Sequence, residues 1–88
     1  MLPGGFAVDA TTPLSRITDA AQASTTVPTI GASKDNLPVN DVVTGFHGYA
    51  MMGMKGQQVH LYDPAKTTPL LLSPAQFRGK FKAVLFTI

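Results

Sequence analysis

Two polar residues in the second half of the chain have types and a spacing suited to acid–base chemistry: His47 and Asp63, sixteen positions apart. His47 follows Gly45-Phe46 and leads into the apolar run Tyr49–Met52, at the entry to a strand predicted over 47–53. Asp63 closes a second predicted strand, 57–62, where Val59 and Leu61 alternate with Gln58, His60 and Tyr62. Period-two alternation marks a half-buried strand. Met54-Lys55-Gly56 between them supplies a glycine where a tight hairpin needs positive φ. The start of one hairpin strand lies beside the end of the other, so the imidazole and the carboxylate can meet at one end of the sheet. A carboxylate accepting a hydrogen bond from one ring nitrogen fixes the tautomer and frees the other nitrogen as a general base. That is the base and its orienter, two parts of a nucleophilic triad.

The other candidates read as structure. His60 points away from Val59 and Leu61 and so to solvent. Tyr49 shares the face of His47, Tyr62 points away from Asp63, and both are packing aromatics. Met51, Met52 and Met54 pack a buried strand, and Arg78, Lys80 and Lys82 form a solvated basic face.

The elements that must position the pair follow from local signals. Thr12-Pro13 predicts a helix start, with Thr12 as N-cap and Leu14, Ile17, Ala20 and Ala21 on one face as far as Ala23. Thr25–Ile30 is largely β-branched and reads as a strand that Pro28 confines to a sheet edge. Residues 34–41 read as a loop, and Leu70–Leu72 as a short strand. Ser73-Pro74-Ala75-Gln76 is a capping-box helix start, with Phe77 and Phe81 four apart on the helix it opens. A final strand is predicted over 82–88. The fold class is α+β, a small antiparallel sheet with two short helices. Residues 1–13 are read as an N-terminal extension and 14–88 as one β-rich lobe.

Composition narrows the function. The chain has 88 residues, 44% of them hydrophobic and 14% charged, which excludes a disordered chain. A surplus of two positive charges is no nucleic-acid footprint. Two histidines and no cysteine give no metal site, no disulfide framework and no cysteine nucleophile within the sequence. No cofactor is implied. No apolar run approaches the ~20 residues of a membrane span, and no secretory signal is readable in residues 1–8.

The run Thr44-Gly45-Phe46-His47-Gly48-Tyr49-Ala50-Met51-Met52-Gly53 resembles the histidine strand of papain-fold cysteine peptidases, most nearly the calpain type. Asp63-Pro64-Ala65 stands where calpains have Asn-Pro-Trp, and the Asp-Pro version is similar to bacteriocin-processing peptidases and related bacterial effectors. Thr26–Gly31, after a helix, resembles the strand that precedes the histidine in calpains. The resemblance covers roughly 14–88 and implies the C-terminal, His/Asp-bearing lobe of that fold. It implies His47 as base, Asp63 as orienter, a peptide or protein substrate, and a cysteine supplied by a partner chain or an N-terminal lobe, in an enzyme, effector or toxin. Such a cysteine precedes its histidine by ~130–150 residues, and only 46 residues precede His47. Alanine in the tryptophan's place predicts a more solvated pair. The alternative from the residues is a noncatalytic module that binds a protein through a sheet edge and a Met/Phe surface.

Overall fold

The computed structural model of the chain describes residues 3–87. The elements run β1 (Pro3–Ala7), α1 (Leu14–Ala23), β2 (Thr29–Ser33), β3 (Gly48–Lys55), β4 (Gln58–Tyr62), β5 (Leu70–Leu72), α2 (Pro74–Lys80) and β6 (Phe81–Thr87). All six strands form one antiparallel sheet in the order β1-β6-β2-β3-β4-β5. The fold is α+β.

The β3–β4 hairpin carries the pattern seen in the sequence. Ala50 faces Tyr62 and Met51 faces Leu61, and Gly56 turns the chain at φ +62°. A bulge between Met51 and Met54 lengthens β3, with Gly53 taking φ +104°. Helix α2 has its full capping box: Ser73 Oγ accepts from the Gln76 amide, and the Gln76 side chain accepts from the Ser73 amide.

Three expectations about the first half are corrected. Residues 3–7 are not an extension outside the lobe, because β1 pairs with β6 as an edge strand of the same sheet. Gly5 permits this: a Cβ there would stand 2.2 Å from the Val84 carbonyl oxygen. The strand placed at 25–30 instead covers 29–33 and lies inside the sheet, between β6 and β3. Thr25 and Thr26 donate their hydroxyls back to the Gln22 and Ala23 carbonyls and so finish α1, and the strand begins only after Pro28. Thr12 does not cap α1; it is buried, and its hydroxyl accepts from the Asp9 amide at 3.0 Å, closing a turn. In the last strand, Ile88 lies outside the described residues.

Both helices cover the same face of the sheet. Ile17 and Ala21 of α1 and Phe77 of α2 share one core with Tyr49, Met51, Val59, Leu61, Leu72, Phe81 and Val84. Phe77 and Phe81 stack in parallel with centroids 4.2 Å apart, and Gly31 lies against both, where a Cβ would come within 3.1–3.2 Å of their rings. Phe81 meets Tyr49 edge-on at 5.6 Å, and Tyr49 meets His47 edge-on at 5.1 Å. A continuous line of rings therefore runs from α2 to the histidine. Met51 and Met54 belong to or touch this core, whereas Met52 lies on the uncovered face.

Candidate functional site

The structure brings His47 and Asp63 together. His47 precedes the first residue of β3 and Asp63 follows the last residue of β4, so both stand at the same end of the sheet. His47 Nε2 lies 2.9 Å from Asp63 Oδ1. The same carboxylate oxygen accepts from the Ala65 amide at 2.9 Å, in the turn that Asp63-Pro64 opens. The His47 hydrogen bond first, and the Ala65 amide second, hold the Asp63 carboxyl below its ordinary range. Asp63 is therefore an acceptor at neutral pH. Nε2 must carry the proton of a neutral imidazole, and Nδ1 keeps a free lone pair. No described residue forms a hydrogen bond with Nδ1.

The two members of the pair differ in exposure. Asp63 is 3% exposed, while the His47 side chain is 33% exposed. Asp63 lines a cavity of about 100 Å³ together with Tyr49, Leu70 and Lys66. The carboxylate is thus dry and the imidazole half open. That arrangement keeps the orienting hydrogen bond out of water and leaves Nδ1 reachable.

Two residues that single out no chemistry in the sequence hold the histidine in place. Ser33, the last residue of β2, is fully buried. Its hydroxyl accepts from the His47 amide at 2.9 Å and faces the Thr44 carbonyl at 2.7 Å, and its own amide donates to the His47 carbonyl at 2.9 Å. Tyr49 Oη accepts from the Thr44 amide at 2.8 Å. Ser33 escapes sequence reading because its partner lies fourteen residues away, across a loop with no periodic signal. Phe46 is the second such residue. It holds a left-handed φ of +51°, with its amide bonded to the Lys34 carbonyl at 2.9 Å and its side chain 75% exposed. A bulky residue in that region marks local strain, which collects at functional sites. With Ala32, Ser33, His47, Gly48 and Lys82, Phe46 lines a cavity of about 190 Å³ open to solvent.

The basic cluster is solvated at Lys82 and half-buried at Arg78 and Lys80, and each of the three has a partner. Lys80 pairs with Asp41 at 2.6 Å, Lys82 pairs with Asp35, and Arg78 donates to the Thr12 carbonyl at 3.2 Å. The two lysines tie α2 and β6 to the loop that delivers His47. His60 is half-buried on the uncovered face and far in register from the pair; Tyr62 is 41% exposed. A larger cavity of about 310 Å³ lies between α1 and the β1–β6 edge, and neither His47 nor Asp63 lines it. Among the described residues no group of three or more His, Asp or Glu converges on a point where a metal ion would be held. Among the described residues no helix is long and apolar enough to cross a membrane.

The site holds an imidazole oriented by a buried carboxylate, with no hydrogen-bond partner at its second nitrogen among the described residues. The chain matches no protein-family model, and no curated protein and no solved structure matches it.

Proposed function

We propose that this lobe is the base-bearing half of a papain-like, thiol-dependent amide hydrolase whose cysteine is carried by another lobe or chain. The observation that carries the reading is the His47 Nε2–Asp63 Oδ1 hydrogen bond of 2.9 Å, with the carboxylate buried and Nδ1 left open. In this reading Nδ1 accepts the thiol proton and the thiolate attacks the amide carbonyl carbon. The resulting imidazolium, steadied by Asp63, returns the proton to the leaving amine. Water then attacks the thioester with His47 again acting as base, releasing the acid and the thiol. Donors for the oxyanion belong to the cysteine-bearing half. The substrate is a peptide or another amide.

The test uses material purified from the native source. The reading requires a cysteine-bearing polypeptide, continuous with the chain or co-purifying with it, and amidase activity that a thiol-alkylating reagent abolishes. His47→Ala should lower that activity by about 10²–10⁴-fold while association persists. Undiminished activity in the variant would refute the reading. A noncatalytic binding module is the second reading, and one observation favours it: Ile30, Met52 and Leu85 are each about half exposed on the uncovered face of the sheet.

A further inference from the structure

The cavity between α1 and the β1–β6 edge follows from the small side chains that one stripe of the helix carries. Residues three and four apart share a helix face. Ala20 and Ala23 of α1 line the cavity together with Phe6 of β1 and Phe86 of β6. Two alanines opposite two phenylalanines leave a hollow of about 310 Å³ with a mostly apolar wall. Gly4 keeps room for the Phe86 ring, because a Cβ there would stand 2.9 Å from it. Thr29 brings a hydroxyl to the wall, already bonded to the Val27 carbonyl at 2.7 Å.

The same stripe adds two opposite charges. Arg16 and Asp19 also line the cavity, one turn apart on α1, and both are exposed. The Arg16 guanidinium lies over the Phe6 ring, 4.3 Å from its centroid. Among the described residues neither group enters an ion pair, with the other or with a third. Arg16 precedes Asp19, and a base ahead of its acid is the less favourable order for pairing along a helix. An apolar hollow with a few polar groups at its mouth has the makeup of a small-ligand site.

We propose that this cavity binds a free α-amino acid with an apolar side chain. The ligand carboxylate takes the Arg16 guanidinium in a two-pronged hydrogen bond. Its ammonium meets the Asp19 carboxylate, and its side chain lies between the alanines of α1 and the rings of Phe6 and Phe86. Charge selects this class. A fatty acid or other plain anion would stand against Asp19, and a plain amine against Arg16. The end of a peptide supplies only one of the two charges, whereas a zwitterion answers both. Size agrees, because the volume stands at the low end of the ~300–1,000 Å³ of small-molecule sites, room for one amino acid rather than a lipid chain or a nucleotide. Neither His47 nor Asp63 lines the cavity, so the proposal stands apart from the hydrolase reading. So small a ligand in an open site has a dissociation constant on the order of 0.1–1 mM.

Titration of the nitrogen-15-labelled 88-residue chain with L-phenylalanine and with L-leucine reads the binding. Saturable shifts should appear at the amides of Ala20, Ala23, Phe6 and Phe86, with His47 and Asp63 unmoved. Phenylpropionate lacks the ammonium, phenethylamine the carboxylate and glycine the side chain. Each should bind about tenfold or more weakly, as should L-phenylalanine to Arg16→Gln and to Asp19→Asn. Ala23→Leu fills the hollow and should abolish saturation. All three substituted positions are exposed on α1, and the spectrum itself checks the fold. Absence of saturable shifts up to about 10 mM ligand overturns the proposal. Equal binding of phenylpropionate, or undiminished binding by a folded Arg16→Gln variant, overturns it as well.

Discussion

Replacing Ser33 by alanine should loosen His47 while leaving the sheet intact. Ser33 is fully buried, and its hydroxyl accepts from the His47 amide at 2.9 Å while facing the Thr44 carbonyl at 2.7 Å. Alanine fits the space but leaves the His47 N–H without its partner. An unsatisfied amide of this kind costs about 1–3 kcal/mol. At about 4–8 °C per kcal/mol for a domain of this size, a central cost of about 2 kcal/mol lowers the melting temperature by about 8–16 °C. The backbone bonds that zip this region, Ser33 amide to His47 carbonyl and Phe46 amide to Lys34 carbonyl, remain. The loss should therefore be local. Thermal unfolding followed by circular dichroism reads the first quantity. Nitrogen-15 spectra of the imidazole read the second, as weakening of the Nε2–H hydrogen bond to Asp63. A melting shift below about 2 °C, together with an unchanged Nε2–H signal, would show that Ser33 does not position the histidine.

Two more outcomes follow from the same structure. Phe81→Ala removes a fully buried ring that both stacks on Phe77 and meets Tyr49 edge-on; at about 3–5 kcal/mol against a total of about 4–13 kcal/mol for 88 residues, urea unfolding should show most of the stability gone, and a loss under about 1 kcal/mol would contradict the packing. The pH dependence turns on Asp63, whose carboxyl is held below 3.8 by His47 first and the Ala65 amide second. A depressed carboxyl contributes stability that is complete above its unfolded value and is lost as pH falls through its folded value. In urea titrations, the gap between wild type and Asp63→Asn should be constant at neutral pH and close below that ordinary value. Asp9 and Asp41 are depressed as well, so both proteins still weaken in acid. Curves that stay parallel throughout would remove Asp63 from the account.

Legibility in the sequence followed the range of the interaction. The His47–Asp63 juxtaposition was readable because a hairpin is local: alternation at Val59 and Leu61, a glycine turn and an Asp-Pro stop fix which ends meet. The capping box at Ser73–Gln76 was readable for the same reason, since both of its bonds close within four residues. The first half gave weaker signals. Pro3-Gly4-Gly5 has poor strand propensity, and what makes it β1 is pairing with a strand at the other end of the sequence rather than any local preference. The β-branched run at 25–30 pointed to a strand, yet four of its residues, 25–28, were drawn into finishing α1 or into the link that follows it. Ser33 and Phe46 had no local signature, because their roles exist only once β2 and the loop before β3 are packed side by side.

The supports of the pair all lie within the described sheet and its turns, and that bears on the hydrolase proposal. Ser33 comes from β2, Tyr49 from β3, and the Ala65 amide from the turn after β4. None of them waits for a nucleophile, so the orientation of His47 is established before any thiol arrives, and the entropy of ordering it is already met on folding. Stability alone gives weak reason for such an arrangement. Burying a carboxylate costs desolvation that a single neutral imidazole only partly offsets, and apolar residues at such positions are often at least as stable. In the hydrolase proposal, a buried Asp63 beneath a one-third exposed His47 serves to hold His47 ready as the proton acceptor. On the hydrolase proposal a cysteine-bearing half would need to supply only the sulfur, the oxyanion donors and the substrate groove, and its fit would be judged by one distance, from sulfur to Nδ1.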